Sequence, residues 1–301
     1  GDSAPLDLGS RAVCSDGIDN DGDGRTDLYT ANDSTPNHLW RNKGDGTFEE
    51  IAWRHGVGHD ANGKEQAGMG IACADANEDG VPDLFVTNFS GENNALYLSR
   101  KGRFRERSYA VGLGGASLRR LGWGTSYGDF DLDGHLDLFV LNGHVYPQAD
   151  QPGTDTSYAQ PDQVFLQGAN GRFTEVALGG VERVSRAGVS ADLDADGDLD
   201  LIALELGGPA RVWENTSASS GADARWLGVR LAGTAAYGAS VELAYDADGE
   251  RVTLKRFART AGGFQASCPL ACHFVAEGWS GEGALTLRVR WLGGALSEVE
   301  L

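Results

Sequence analysis

Asp129-Phe130-Asp131-Leu132-Asp133-Gly134-His135-Leu136-Asp137 runs directly into Leu138-Phe139-Val140. Asp fills positions one, three, five and nine, and Gly fills position six. Carboxylates at alternate positions repel one another along a strand or helix, but they can all turn inward around a hard divalent cation. Ca²⁺ takes about six to eight oxygen ligands, whereas Mg²⁺ resists an all-protein shell. Glycine suits the sharp bend, and the apolar run that follows reads as a buried strand.

The pattern recurs, with loops beginning at Asp19, Asp75, Asp129 and Asp192. Each ends in Asp-Leu and an apolar run: Asp27-Leu28-Tyr29, Asp83-Leu84-Phe85, Asp137-Leu138-Phe139 and Asp200-Leu201-Ile202. The expected side-chain ligands are Asp19, Asp21, Asp23 and Asp27; Asp75, Asn77, Asp79 and Asp83; Asp129, Asp131, Asp133 and Asp137; and Asp192, Asp194, Asp196 and Asp200. Carbonyls of Arg25, Val81, His135 and Asp198 are the seventh-position donors. These are not EF-hands, because no twelfth-position Glu closes them and strands rather than helices flank them. Up to four Ca²⁺ ions are expected, with the site carrying Asn77 the weakest.

The flanks repeat as well. A short strand precedes each loop: Arg11–Cys14, Gly68–Cys73, Gly122–Tyr127 and Ala187–Ser190. A third strand follows around Leu39, Leu96, Phe165 and Val212, then a Gly-bearing hairpin such as Gly44-Asp45-Gly46 or Asn170-Gly171 and a fourth strand. Four short antiparallel strands in roughly 50 residues mark a β-propeller blade. The fold class is therefore all-β, with about four recognisable blades over residues 1–216. The fourth copy lacks its last hairpin and strand, an open edge that Pro5–Leu8, a tail strand or a second subunit is expected to cover. A polar stretch at 217–225 reads as a linker. Residues 226–301 lack the repeat but alternate, as in Leu285-Thr286-Leu287-Arg288-Val289, and read as a small antiparallel β domain.

The loops resemble the FG-GAP/VCBS repeats of integrin alpha-chain propellers. Val86-Thr87-Asn88-Phe89, the stretch from Gly122-Trp123-Gly124 to Asn142-Gly143-His144-Val145-Tyr146-Pro147, and the passage from Trp226 to Trp291 narrow the resemblance to the ASPIC/UnbV (cartilage acidic protein-like) family. That resemblance implies Ca²⁺ binding and an extracytoplasmic setting, and little about activity.

Of the chain's 301 residues, 44 are Asp or Glu and 25 Lys or Arg, a net charge of −19. This excludes a nucleic-acid partner, whose phosphates demand a basic face, and argues against an anionic membrane surface. Fifteen of the acids sit at loop ligand positions, so the acidity is partly a metal-site signature. No apolar run approaches the roughly 18 residues of a membrane span. The chain starts at Gly1, so a trimmed N-terminus is expected. Millimolar external Ca²⁺ and four Cys point to secretion, a periplasm or a cell surface.

Cys268 and Cys272 are a candidate short-loop disulfide, since His273 alone adds too little for zinc. Cys14 and Cys73 hold equivalent places before their loops and are either small core residues or a bridge. His55 and His59 fall in a glycine-rich stretch that reads as a loop. Arg103, Arg105 and Arg107 alternate, so a strand puts them on one face, either as a charged edge or as a contact for an anionic glycan. Asn32, Asn88 and Asn215 fit glycosylation sequons.

No nucleophile–base pair, phosphate loop or catalytic zinc set stands out. The first reading is an extracellular calcium-stabilised binding or adhesion module for a protein or polysaccharide ligand. The alternative is an enzyme, carbohydrate lyase-like or biosynthetic, with His144, Tyr146, Arg119 and Arg120 as acid/base and charge-stabilising candidates. The third is a structural subunit of a surface assembly, oligomerising through its open blade edge. The insertion from Gln148 to Pro161 is where a functional loop is first sought.

Overall fold

The computed structural model describes residues 25–179, 181–218, 225–260, 263–268 and 270–301. The expected strand Arg11–Cys14, the cover Pro5–Leu8 and loop residues Asp19, Asp21 and Asp23 lie outside them.

The repeats fold as successive antiparallel meanders. The first is β1 (Leu28–Thr30), β2 (His38–Asn42) and β3 (Phe48–Glu50). The second is β4 (Gly68–Ala74), β5 (Asp83–Asn88), β6 (Ala95–Arg100) and β7 (Arg103–Glu106). The third is β8 (Gly122–Gly128), β9 (Asp137–Asn142), β10 (Gln163–Gln167) and β11 (Phe173–Ala177). The fourth is β12 (Ser185–Ala191), β13 (Asp200–Glu205) and β14 (Ala210–Trp213). In the second, third and fourth sheets the acidic loop joins the first strand to the second.

All six residues of β5 and of β9 are buried, and the alternation of side chains explains why. Leu84 and Val86 pack with Tyr29 and Leu39 of the first sheet, whereas Phe85 between them packs with Leu138, Val140 and Phe165 of the third. Phe139 and Leu141 in turn face Leu201 and Ala203 of the fourth. Each inner sheet is thus sandwiched by its neighbours, and its second strand is apolar on both faces. Burying a side chain such as Phe85 or Phe139 contributes roughly 2–3 kcal/mol.

The first strands of neighbouring sheets meet backbone to backbone. Thr87 Oγ1 accepts from Gly70 N at 2.8 Å and donates to Trp123 O at 2.8 Å. A Cβ on Gly70 would collide with Trp123 O, and one on Gly124 would lie 2.8 Å from Arg186 O. Glycine is needed here for close approach. Among the described residues no core cluster joins the first sheet to the fourth, and the propeller expectation is met as a run of blades.

The fourth sheet has three strands among the described residues, matching its missing hairpin. The expectation that a tail strand fills its edge is wrong. The tail strands β15 (Trp226–Arg230), β16 (Ser240–Ala247), β17 (Glu250–Phe257), β18 (Ala271–Val275), β19 (Thr286–Arg290) and β20 (Leu296–Glu300) pair only among themselves, as β17-β16-β19-β20 and β15-β18. Their inward residues Val241, Leu243, Tyr245, Leu254 and Phe274 close a core of their own.

The disulfide expected between Cys268 and Cys272 is also absent, and both stand as thiols. The Cys272 side chain joins the tail core on β18, while the Cys268 thiol turns to the carbonyl of Arg259 at 3.5 Å. The stretch from Gly56 to His59 is a loop, as expected, and His55 ends the turn before it. Ala52–His55 forms a one-turn helix, α1, ended by Gly56 at φ 76°, and its His55 Nδ1 meets the carbonyl of Gly102. Among the described residues no helix is long and apolar enough to cross a membrane.

Gly70→Val forces a branched side chain against Trp123 O and is expected to destabilise by about 3 kcal/mol, read as a lower melting temperature. Gly115→Ala, where nothing lies within 4 Å of the added carbon, is expected to leave the melt unchanged.

Candidate metal centre and its cover

The ninth-position aspartate does the same work in the second, third and fourth repeats. Asp83 Oδ2 accepts from Ala76 N at 3.0 Å inside its loop, and Oδ1 accepts from Ser99 N at 2.6 Å on the third strand. Asp137 repeats this with Phe130 N at 2.8 Å and Gln167 N at 2.7 Å. Asp200 repeats it with Leu193 N at 2.9 Å and Asn215 N at 2.8 Å, and Asp27 accepts from Asn42 N at 2.9 Å. All four carboxylates are buried. Each ties its loop to the strand beyond, so this residue is a backbone anchor as well as a candidate ligand.

First-position aspartates shape the bend. Asp75 accepts from Asp79 N at 3.0 Å and Gly80 N at 2.8 Å, and Asp129 accepts from Asp133 N at 3.1 Å and Gly134 N at 2.9 Å. The sixth-position glycines Gly80, Gly134 and Gly197 have φ of 85°, 88° and 103°. The fourth position adopts the left-handed region as well, with Glu78 at 58°, Leu132 at 63° and Ala195 at 65°. That conformation costs a non-glycine residue roughly 1–2 kcal/mol, and no residue type at position four announces it.

Ligand atoms of Asp129, Asp131 and Asp137 lie within 4.8 Å of one another, as do those of Asp192, Asp194 and Asp196. These two triads can hold a metal ion. Asp133 stands outside the first group and Asp200 outside the second. In the second loop Asn77 Nδ2 donates to Asp79 Oδ2 at 3.3 Å. Three buried carboxylate oxygens have no hydrogen-bond partner: Oδ1 of Asp131, Asp192 and Asp198. An acceptor left in that state asks for a cation, so the donor set fits a hard divalent ion. Burial pushes the carboxyl of Asp75 up to about 6, Asp129 to about 7, and Asp83 and Asp137 to about 8, and nearby carboxylates add to each shift. A bound cation takes the place of the protons these groups otherwise retain.

The tail domain covers the bends. Lys255 Nζ donates to Gly80 O at 2.8 Å, and Arg256 Nη2 to Gly134 O at 3.3 Å. His273 Nε2 meets Gly197 O at 2.9 Å and must carry the proton there. Three consecutive loops thus offer the same sixth-position carbonyl to three donors of the tail. Arg256 is buried, and desolvation lowers its pKa while the Asp129 and Glu78 carboxylates act against this. His135 Nδ1 pairs with Glu78 Oε1 at 2.9 Å and links the second and third loops. Further in, Phe264 stacks edge-on against Trp123 at 4.8 Å. Lys255 and Arg256 carry no sequence signal for this role, since a basic residue on an alternating strand reads only as a solvated face.

The candidates around His144 are occupied structurally. His144 is buried, its Nδ1 accepts from Tyr146 N at 3.0 Å, and its Nε2 lies 3.2 Å from Ser90 Oγ. Burial holds its pKa below the ordinary value. Tyr146 is exposed, and Arg120 pairs with Glu175 at 2.7 Å. The Arg119 carbonyl accepts from Thr156 Oγ1 at 2.8 Å. None of the four lines the cavities of about 340, 1100 and 530 Å³. The 148–161 insertion is tied down, with Leu121 N on Gln160 Oε1 at 2.8 Å and a bridge from Gln160 to Arg183. The sequon residues Asn32 and Asn88 are buried strand-end hydrogen-bonders. Arg103, Arg105 and Arg107 are all exposed.

EDTA is expected to lower the melting temperature, with Ca²⁺ restoring it. Asp137→Asn removes a charge from the third loop's triad and is expected to shrink the Ca²⁺-induced shift, read by calorimetry. Arg256→Met leaves Gly134 O without its donor and is expected to cost about 2 kcal/mol, read as a lower urea midpoint.

An FG-GAP-like repeat model matches residues 19–86 and 75–140. Cartilage acidic protein 1 of Xenopus tropicalis is 28% identical over 278 residues, covering 90% of this chain and 40% of the relative. The Homo sapiens protein is 31% identical over 179 residues, 59% of this chain and 25% of the relative. The chain therefore spans less than half the length of these relatives. A solved Agrocybe aegerita lectin, described as recognising non-reducing terminal N-acetylglucosamine, aligns at TM-score 0.33 and 18% identity over 66% of this chain and 51% of its own. The chain is an FG-GAP-like repeat protein related to cartilage acidic protein 1.

Proposed function

We propose that this chain is a calcium-stabilised binding module of the extracytoplasmic space, with a propeller-type run of blades as its scaffold and a protein or polysaccharide as its ligand. The observation that carries the reading is the double use of the third loop. Its carboxylates converge on a cation position while also holding the sheet together, and the tail domain lies over the bend. An ion held this way has its surroundings committed to the scaffold, whereas a catalytic metal keeps an open position for substrate. Calcium is the ion of choice because the donors are all oxygens in a flexible loop. The proposed ligands are the aspartates and Asn77 at positions one, three, five and nine, with the seventh-position carbonyls, for up to four ions. Such sites fill where Ca²⁺ is millimolar, which supports a setting outside the cytoplasm.

The test is an array of glycans and secreted proteins probed with the full chain in Ca²⁺ and in EDTA. Ligands are expected that bind only in Ca²⁺. Hits that are indifferent to the ion would refute an ion-dependent binding module.

A further inference from the structure

The basic stripe on β7 lies in a groove that the metal loops do not explain. The groove, about 1100 Å³, runs between α1 and the outer edge of the second sheet, and Trp53, Arg54, Lys101, Arg103, Arg105 and Arg107 line it. Phe104 points into the core between the exposed Arg103 and Arg105, so the strand's period of two puts the guanidinium groups on one side. Along a strand, i and i+2 are about 7 Å apart, so Arg103 and Arg105 stand side by side, and the exposed Arg107 follows just past the strand's end. Arg54 pairs with Glu49 at 3.6 Å. Among the described residues no carboxylate pairs with Arg100, Lys101, Arg103, Arg105 or Arg107. On a chain of net charge −19, five unpaired cations within eight residues are a local exception. Beyond about 8 Å at physiological salt the surrounding acidity is screened, so a ligand in the groove meets these cations first.

At one end stands Trp53, 72% exposed and held edge-on against His59 at 5.0 Å. A large indole face left in water beside cations is a stacking platform for a sugar ring, whose C–H face is apolar. The lining also includes Asn77 and Asp79 of the second loop, where a bound cation would cancel the one lining carboxylate that opposes an anion.

We propose that this groove binds a linear anionic polysaccharide, one bearing carboxylate or sulfate groups along its chain. A single small anion needs neither three arginines nor a groove larger than the ~300–1,000 Å³ of ordinary ligand pockets. An acidic peptide would use the arginines but gains nothing particular from Trp53. This inference rests on the binding-module reading and names its ligand class and surface.

The test measures binding of dextran sulfate, polygalacturonate, neutral dextran, poly-glutamate and an oligothymidylate to the full chain, in Ca²⁺ and in EDTA, across a salt series. One of the two anionic polysaccharides is expected to bind and neutral dextran not to. The triple variant R103S/R105S/R107S is expected to weaken binding at least about tenfold and to flatten its salt dependence, with an unchanged melt because all three side chains are exposed. Trp53→Ala is expected to weaken it several-fold. Full affinity in the triple variant, no binding of either polysaccharide at low salt, or equally tight binding of poly-glutamate or the oligothymidylate would overturn the proposal. Polysaccharide binding that is lost in the triple variant but indifferent to EDTA would keep the groove and refute the ion-dependent reading. Calcium-dependent array hits that the triple variant retains would do the reverse.

Discussion

A buried carboxylate that accepts two backbone N–H groups holds each of the second, third and fourth repeats together. Asp83, Asp137 and Asp200 each take one from their own loop and one from the end of the third strand. Three strands and a loop are thereby locked by one side chain. Removing a carboxylate from water is expensive unless something compensates the charge, and the backbone bonds do so only in part. Burial therefore raises the proton affinity of Asp83 and Asp137, and a divalent cation is the natural further compensation. Scaffold and ion site are consequences of the same buried charge.

The second organising contact follows from the bend that this charge imposes. Gly80, Gly134 and Gly197 turn with positive φ and present their carbonyls to Lys255, Arg256 and His273. The tail domain therefore reads the loops through backbone atoms whose positions depend on loop geometry. Arg256 lies buried between Gly134 O and the acids of two loops, so its own desolvation is offset only while those loops keep their shape. Loop geometry and tail docking are physically linked.

How far the residues alone could be read is clear at particular positions. The four-fold Asp pattern, the strand order within the second and third sheets and the three-stranded fourth sheet were legible, because ligand spacing and hairpin glycines are local rules. The exposed face of Arg103 and Arg105 followed from period two on a strand, whereas Arg107 falls past its end, where a helical turn begins. The left-handed Leu132 and Ala195 were not legible, since loop closure and not residue preference places them there. The disulfide expectation failed because four residues of separation say nothing about which way Cys272 faces once β18 joins the tail core.

The sequence by itself determined the repeat, its acidic loops and the two-faced burial of the second strands, because each rests on contacts within one blade or between adjacent ones. Only the tertiary structure decided that the tail lies over the loop bends, that His144 is a packed hydrogen-bonder, and that the three arginines share a groove with Trp53. Those facts join residues dozens to nearly two hundred positions apart, as Gly80 and Lys255 are. No local periodicity encodes such a meeting; the packing of whole sheets and domains brings it about.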